Sequence, residues 1–487
     1  MAPPTIGALD ERELSLQPEA LVCHMLALPY PGRGHINPML SLCELLLSKE
    51  PRIHITFVLT EEWLSLITSA GSNKPCSSNY SNNIRFVTLP NIIPSELDRS
   101  KDFPGFFEAV DTKMEGPFEQ LLDALAKPPA VIVADTFLKW AVGVGKRRNI
   151  PVASLWTQSA SVFSLLQNIE LLEQNGDFQV DLLERGDEQV DYIPGISPTR
   201  VADLPSFFTG DGHKVLHKAI KCISMASKAQ FFLSTSFHEL EPLAIKALRP
   251  IFSSPIYSVG PTIPFSKLKP GVSEEEADDL YLQWLDSQPS RSILYVSLGG
   301  SFLSVSSAQL EEIIAGVRDS GARSLWVARG NTSFIRDAIG DRVPNLVVPW
   351  CNQLKVLCHD SVGGFWTHCG WNSTLEAIFS GVPMLTCPIF WDQIHNSKQI
   401  VKDWKIGFRV KKKSGSGDVI MREEIAGLVK KLMDPESEEG REVRRRVKEL
   451  QQCCAKAIAR GSGSSDIDLD AFVRDIYISN KTRRSEN

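Results

Sequence analysis

Cysteine pairs of the C-x-x-C type, long apolar runs and an excess of positive charge are all absent from this sequence of 487 residues. Its ten cysteines are scattered and none forms a C-x-x-C pair, which argues against a zinc site or a disulfide framework and favours a reducing compartment. No apolar run approaches the roughly 20 residues that span a bilayer. The polar N-terminus lacks the basic, apolar, small-residue order of a signal peptide. We therefore expect a cytoplasmic protein with no membrane insertion.

Two common nucleotide-binding motifs are also missing. Gly32-Arg33-Gly34 begins a G-x-G-x-x-G fingerprint, but Asn37 stands where its third glycine belongs, and no Walker-type phosphate loop occurs. The net charge of −6 and the pI near 5.9 argue against nucleic acid as a partner. With 43% apolar and 23% charged residues, the chain has the composition of a soluble globular protein, and its length predicts two or three compact units.

Short apolar runs alternate with helical stretches in both halves of the chain, which predicts an α/β protein with doubly wound parallel sheets. The alternation pauses at a Pro/Gly-rich and then acidic segment and resumes after it. The predicted organisation is a flexible N-terminal tail at 1–20, a first domain at 21–259, a linker at 260–278, a second domain at 279–465 and a C-terminal segment at 466–487. One long helix is predicted at 106–125. Aromatic residues are frequent between 103 and 208; we expect most in the core and a minority beside a ligand.

Two polar residues far apart in sequence are predicted to meet. His35 follows the first strand, just before a helix that Asn37 and Pro38 are expected to begin as N-cap and first residue. Asp135 ends the fourth strand. In the common strand order 3-2-1-4-5-6 these strands are neighbours at the point where ligands bind. Each residue alone is explained as an ordinary loop histidine or a turn-forming aspartate; together they predict a base and the carboxylate that orients it.

The densest group of polar and aromatic residues runs from 350 to 393. Within it, an apolar strand at 362–367 leads through the turn HCGWN into a helix predicted from Ser373 to Ser380. A strand, a tight turn and a helix N-terminus present free backbone N–H groups that suit a phosphate. Trp350, Glu376 and the pair Asp392-Gln393 surround this turn in the sequence.

This segment, WCNQLKVLCHDSVGGFWTHCGWNSTLEAIFSGVPMLTCPIFWDQ, resembles the signature box of the plant secondary-product UDP-glycosyltransferases, family-1 enzymes of the GT-B fold. GRGHINP and VIVADTF are similar to the segments that carry that family's catalytic histidine and its aspartate partner. The resemblance implies two Rossmann-like domains facing across a cleft, with a last helix that crosses back onto the first domain. It also implies an inverting hexosyltransferase with UDP-glucose as co-substrate and no other cofactor. The acceptor would be a hydroxyl or carboxyl group of a small lipophilic plant metabolite or hormone, and the product a β-glucoside.

The residues that are expected to contact the uracil base and the ribose of the donor lie at two places in the box. Trp350 can stack on uracil, with the Cys351 backbone at the edge of the base. Gln353 and Glu376 can reach the ribose. For Glu376 a second interpretation stays open, because Ser373-x-x-Glu376 also fits a capping box that needs no ligand.

The expected diphosphate contacts are His368, Asn372 and Ser373 with the helix N-terminus. No Asp-x-Asp metal site stands out, and we expect a metal-independent enzyme. Ser301 is expected near the β-phosphate, although Gly299-Gly300 makes its turn one glycine longer than the family pattern.

Trp371, Asp392 and Gln393 are expected to frame the sugar. In the resembled family, Trp at 371 and Gln at 393 accompany glucose; UDP-galactose and UDP-xylose stay open as donors. His35 would deprotonate the acceptor while Asp135 steadies the imidazolium, and we expect a monomer.

Two other functions fit parts of the sequence. A nicotinamide-dependent oxidoreductase also uses doubly wound sheets, but the incomplete glycine fingerprint disfavours it. A non-catalytic binder of a sugar nucleotide or small hormone would keep the donor box, and the presence of both His35 and Asp135 disfavours that function.

Overall fold

The computed structural model describes residues 23–69, 82–208, 213–268, 276–298, 306–328, 332–410 and 419–486. The predicted tail at 1–20 and the turn that carries Ser301 lie outside the described residues.

The first half of the chain forms a seven-stranded parallel sheet, because its apolar runs are buried on both faces. Its strand order, β3-β2-β1-β4-β5-β8-β9, places β1 beside β4 as predicted. A short hairpin of β6 and β7 lies apart from this sheet. The strands are β1 Cys23–Leu28, β2 Ile53–Thr60, β3 Ile84–Leu89, β4 Val131–Asp135, β5 Val152–Trp156, β6 Gln189–Val190, β7 Thr199–Arg200, β8 Phe231–Ser234 and β9 Ile256–Ser258.

Helices cover both faces of this sheet. They are α1 Arg33–Lys49, α2 Glu61–Ser69, α3 Phe103–Lys113, α4 Glu115–Asp123, α5 Trp140–Arg147, α6 Ala160–Gln167, α7 Ile169–Gln174, α8 Leu182–Arg185, α9 His213–Ala226 and α10 Pro242–Leu248. Among the described residues, short 3₁₀ turns lie at Glu96–Asp98, Val201–Asp203, Ser206–Phe208, Arg249–Ile251 and Phe265–Leu268.

Two predictions about these helices were wrong. Helix α1 begins at Arg33, after Gly32, so Pro38 lies inside the helix and His35 in its first turn. The predicted helix at 106–125 is two helices, α3 and α4, separated at Met114 just before Gly116-Pro117. A proline there fits the first turn of a new helix better than the middle of a long one.

The second half forms a six-stranded parallel sheet with the order β12-β11-β10-β13-β14-β15. Its elements are α11 Glu276–Asp286, β10 Ile293–Ser297, α12 Ser307–Ser320, β11 Arg323–Val327, α13 Thr332–Ile339, β12 Asn345–Val348, α14 Gln353–Leu357, β13 Val362–Thr367, α15 Trp371–Ser380, β14 Met384–Thr386, α16 Gln393–Lys398, β15 Gly407–Arg409, α17 Arg422–Met433, α18 Glu438–Ala457 and α19 Ser464–Glu486. A π-helical turn at Gln399–Asp403 continues α16. The predicted α/β class with two doubly wound sheets is confirmed.

Each sheet separates two buried apolar clusters. Along β1, Leu26 and Leu28 belong to one cluster, while Met25 and Ala27 belong to the other. The second sheet divides its core in the same way, with Tyr295 of β10 on one face and Leu294 on the other.

The last helix, α19, packs on the first sheet. Phe472 is fully buried, 5.7 Å from the Phe231 ring and 5.3 Å from the Tyr257 ring. The Tyr257 hydroxyl donates to Asp475 at 2.6 Å. The residue bounds of the domains stay predictions. Within the described ranges, no helix combines the length and the hydropathy needed to cross a bilayer.

Candidate active site

The carboxyl ends of β1, β4 and β5 bring three polar side chains to one point. His35 Nδ1 lies 2.8 Å from Asp135 Oδ2 and 2.9 Å from Thr157 Oγ1. Asp135 Oδ1 accepts the Phe137 backbone N–H at 2.9 Å, which fixes the carboxylate. The Asp135 side chain is 1% exposed and that of His35 is 15% exposed. With the Asp135 carboxylate accepting from Nδ1, the imidazole proton is held on Nδ1 and Nε2 is left as the basic nitrogen.

Aromatic rings surround the imidazole and continue across the cleft. Tyr30 lies 5.1 Å and Phe137 5.9 Å from the His35 ring. From the second domain, Phe390 and Trp391 each lie 5.6 Å from Phe103, edge to face. Rings from both domains thus meet beside His35 and form an apolar surface, as a small lipophilic ligand requires.

The strand predicted in the second domain is β13, and the helix that follows its turn is α15. This helix begins two residues earlier than expected. Gly370 is the N-cap and makes no side-chain cap hydrogen bond, so the first N–H groups of this ten-residue helix are not capped by that residue. The capping-box interpretation of Ser373 and Glu376 was therefore wrong, because Ser373 lies in the first turn of α15. A helix N-terminus whose N-cap residue is glycine suits a phosphate.

Gln353 is hydrogen-bonded to two other residues predicted to contact the sugar donor. Its Nε2 donates to Glu376 Oε2 at 2.6 Å and to Ser373 Oγ at 2.9 Å. The Tyr295 hydroxyl donates to Gln353 Oε1 at 3.3 Å, which sets which end of the amide faces α15. Burial raises the pKa of Glu376 to about 7, although the hydrogen bond from Gln353 lowers it. A carboxylate held this way can accept hydroxyl groups of a ribose.

Two residues that are predicted to contact the sugar donor, His368 and Trp371, each have a buried ring nitrogen. Among the described residues, neither His368 Nδ1 nor Trp371 Nε1 has a hydrogen-bond partner. Burial lowers the pKa of His368 to about 4, so its imidazole is neutral at physiological pH. Buried polar atoms without partners are uncommon in proteins, and both lie where β13 leads into α15.

Asp392 and Gln393 lie side by side at the start of α16, and both are buried. Asp392 Oδ2 accepts from Asn396 Nδ2 at 2.8 Å, and burial raises its pKa to about 6. Gln393 Oε1 accepts the Ile389 and Phe390 N–H groups at 3.0 Å each. With its oxygen so engaged, the Gln393 amide presents N–H donors, while Asp392 presents an acceptor.

Trp350 and Cys351, which are predicted to contact the uracil base, follow the end of β12. Trp350 is partly exposed, as a ring that stacks on a ligand must be, and the neighbouring Cys351 is buried. The Cys351 thiol lies 3.5 Å from the Tyr295 hydroxyl.

A hydrogen bond joins the donor side of the cleft to the residue before His35. Asn372 Nδ2 donates to the Gly34 carbonyl at 2.9 Å. Nearby, Trp391 N donates to Ser206 Oγ at 2.7 Å and Ser206 N donates to the Trp391 carbonyl at 2.9 Å. The two halves therefore face each other across one cleft that both of them line.

Two doubly wound domains, with a glycine-capped helix N-terminus on one side of their cleft and a histidine–aspartate pair on the other, define a sugar-nucleotide transferase of the GT-B type. A family model described as UDP-glucoronosyl and UDP-glucosyl transferase matches residues 260–425. The chain is 51% identical over 450 residues to UDP-glycosyltransferase 87A1 of Arabidopsis thaliana, a match that covers 92% of this chain and 99% of the relative. The chain belongs to the plant UDP-glycosyltransferase family and is a UDP-glycosyltransferase.

Solved structures confirm the GT-B architecture. UGT71G1 of Medicago truncatula, complexed with UDP-glucose, is 28% identical with a TM-score of 0.75, covering 93% of this chain and 98% of its own. UGT2 of Phytolacca americana, complexed with UDP-2-fluoro-glucose and pterostilbene, is 26% identical with a TM-score of 0.76, covering 93% of this chain and 100% of its own. The oxidoreductase and the non-catalytic binder are thereby set aside.

Thr157 and Tyr295 are two of the site residues that sequence reasoning missed. Thr157 follows β5, the strand beside β4, so its place after a strand end was a usable signal. Tyr295 lies inside a buried apolar strand, where nothing in the sequence separates it from core filler. Its role shows only in the pairing of β10 with β13, which stacks it 5.0 Å from Phe365 and turns its hydroxyl towards Gln353.

Proposed function

We propose that this enzyme transfers glucose from UDP-glucose to a hydroxyl or carboxyl group of a small lipophilic plant metabolite or hormone, with inversion to a β-glucoside. The observation that carries the proposal is the 2.8 Å contact between His35 and Asp135 at the cleft wall that faces α15. The two neighbouring structures were solved with UDP-glucose or its 2-fluoro analogue. They support a glucose donor here.

The base and ribose of the donor are assigned to the start of the box. Trp350 stacks on uracil and the Cys351 backbone meets the base edge. Glu376 accepts from the ribose hydroxyls, with Gln353 beside it. The hydrogen bond between Gln353 and Glu376 supports this assignment, because it aligns both side chains before a ligand binds.

The diphosphate is assigned to the N-terminus of α15 with His368, Asn372 and Ser373. Helix N–H groups and neutral donors can stabilise the charge that develops as UDP leaves, and this arrangement requires no metal ion. The hexose is assigned to Trp371, Asp392 and Gln393, where an acceptor and an N–H donor lie together. Ser301 stays a proposed β-phosphate contact.

His35 acts as the general base. With its proton on Nδ1 held by Asp135, Nε2 takes the acceptor's proton as the acceptor oxygen attacks the anomeric carbon from the face opposite UDP. General-base catalysis contributes roughly 10²- to 10⁴-fold. A carboxylic acid is already ionised at neutral pH and needs this help less than a hydroxyl.

The donor and acceptor walls both come from one chain, so we propose that a monomer suffices. Nine cysteines lie among the described residues and all are free thiols. Free thiols persist in a reducing compartment, which supports a cytosolic enzyme.

A UDP-release assay with UDP-glucose, UDP-galactose and UDP-xylose against a panel of phenols, terpenols and carboxylic acids tests the proposal. We expect UDP-glucose to be the preferred donor and the anomeric proton coupling of the product to show a β-linkage. His35→Ala should abolish transfer to phenols while UDP binding persists. His359→Ala is the matched control, because this histidine pairs with Asp286 at 3.1 Å and precedes β13, at the opposite edge of the sheet. Equal turnover in His35→Ala would refute the role of the base.

A further inference from the structure

Helix α1 carries a proline in its interior, shortly after His35. Pro38 has no N–H, so the Gly34 carbonyl one turn earlier has no i→i−4 donor within the helix. The proline ring also presses against that carbonyl. Proline is the least favourable residue in a helix interior, so its presence here calls for a gain elsewhere.

The Gly34 carbonyl finds its donor across the cleft. Asn372 Nδ2 donates to it at 2.9 Å, and Asn372 is the second residue of α15. Gly34 is exposed and Asn372 half-buried, so both lie at the cleft surface. The side-chain amide carries a second hydrogen and an oxygen, so it can hold Gly34 and still reach a diphosphate.

We propose that Pro38 and Asn372 are positioning residues: the proline frees the Gly34 carbonyl, and the asparagine binds it, which sets the separation between His35 and the sugar donor. Within its own domain the His35 ring is already held by Asp135 and Thr157. The variable that remains is the placement of this domain against α15. A hydrogen bond to the residue next to His35 fixes that placement most directly.

This inference rests on the proposed function of His35 as the general base, because only a base requires a set separation between His35 and the sugar donor. The Gly34–Asn372 hydrogen bond is a neutral one near solvent. Its loss should therefore reduce turnover by a modest factor and leave the affinity for UDP nearly unchanged.

Pro38→Ala tests the inference, because alanine restores an N–H that can close on the Gly34 carbonyl and compete with Asn372. We expect kcat at saturating UDP-glucose to fall about three- to tenfold, the effect of one neutral hydrogen bond, while the Kd of UDP measured by calorimetry changes less than about twofold. The matched control is Pro242→Ala. Pro242 is the exposed first residue of α10, where a helix N–H has no intrahelical partner, and kcat should not change.

A double-mutant cycle separates this inference from other roles of Asn372. Asn372→Ala should lower kcat at saturating donor as Pro38→Ala does, and Pro38→Ala should have no further effect in the Asn372→Ala background. Additive effects, or an unchanged kcat in Pro38→Ala, would overturn the inference. If Asn372→Ala raises only the donor KM, its diphosphate role stands and its positioning role fails. A fully active His35→Ala would instead refute the proposed function beneath it.

Discussion

Asp135→Asn tests the histidine pair sharply, because asparagine keeps the shape of the side chain and reverses one hydrogen bond. The Phe137 N–H, which donates to Oδ1 at 2.9 Å, requires an oxygen at that position. The amide nitrogen of the variant must then face His35 Nδ1, which lies 2.8 Å from Oδ2 in the native chain. Nδ1 becomes an acceptor, and the imidazole proton moves to Nε2. The nitrogen that must take the acceptor's proton is thereby blocked.

The size of the effect follows from the step that is lost. If general-base catalysis disappears, kcat falls by roughly 10²- to 10⁴-fold, which corresponds to about 3–6 kcal/mol of transition-state stabilisation at ~1.4 kcal/mol for each factor of ten. The Kd of UDP should stay near its native value, because the Asp135 carboxylate contacts His35 and the Phe137 backbone rather than the residues assigned to the UDP-sugar.

The assay compares two acceptors of similar size, a phenol and a carboxylic acid, by UDP release at pH 7.5. The phenol must lose a proton during attack, whereas the acid is already ionised, so the loss should be largest for the phenol and at most about tenfold for the acid. Asp286→Asn is the matched control: this carboxylate also faces a histidine, His359, but its side chain is 74% exposed and lies in the other domain. Phenol turnover within about threefold of the native rate in a folded Asp135→Asn variant would refute the assignment.

Three further substitutions test the hydroxyl beside His35, the packing of α19 and the buried carboxyl group of Glu376. Thr157→Val removes the hydroxyl 2.9 Å from His35 Nδ1 and should lower kcat about fivefold, whereas Thr157→Ser should restore it. Phe472→Ala should reduce the free energy of unfolding by about 3–5 kcal/mol in chemical denaturation, whereas Ile467→Ala, 52% exposed, should have little effect. Burial raises the pKa of Glu376 above its unfolded value of ~4.3, so its ionisation costs stability that grows as pH rises to about 7. Glu376→Gln should therefore raise the unfolding midpoint at pH 8 but not at pH 4, and it should weaken donor binding.

The sheets could be predicted because parallel strands buried on both faces appear as continuous apolar runs. Asp135 ended such a run and His35 followed another, so the topology alone placed them at one edge. The chemistry of the donor side needed the family resemblance as well. Spacing alone left Glu376 equally explained by a capping box, which the structure excludes.

The wrong start of α1 and the missed Tyr295 share one physical cause, which is that tertiary contacts override local preferences. Asn37 and Pro38 make a good helix start, yet α1 begins earlier. The cost of an interior proline is tolerated where Asn372 supplies the missing donor from a residue more than 300 positions away. Tyr295 likewise gains its role only from the strand that pairs with β10. Neither contact has a signal within the local sequence window.

The two raised carboxyl pKa values also predict that donor binding releases protons. Burial raises the pKa of Glu376 to about 7 and that of Asp392 to about 6, so Glu376 in the free enzyme is largely protonated at pH 6.5. Donor hydroxyls that donate to these carboxylates favour their ionised forms and must lower both pKa values. Binding at pH 6.5 should therefore release roughly half a proton or more, mostly from Glu376. Because the diphosphate of UDP-glucose does not titrate near this pH, calorimetry in two buffers of different ionisation enthalpy measures the release directly. Buffer-independent heats at pH 6.5 in the native enzyme, or an unchanged release in Glu376→Gln, would show that the carboxylate does not meet the donor.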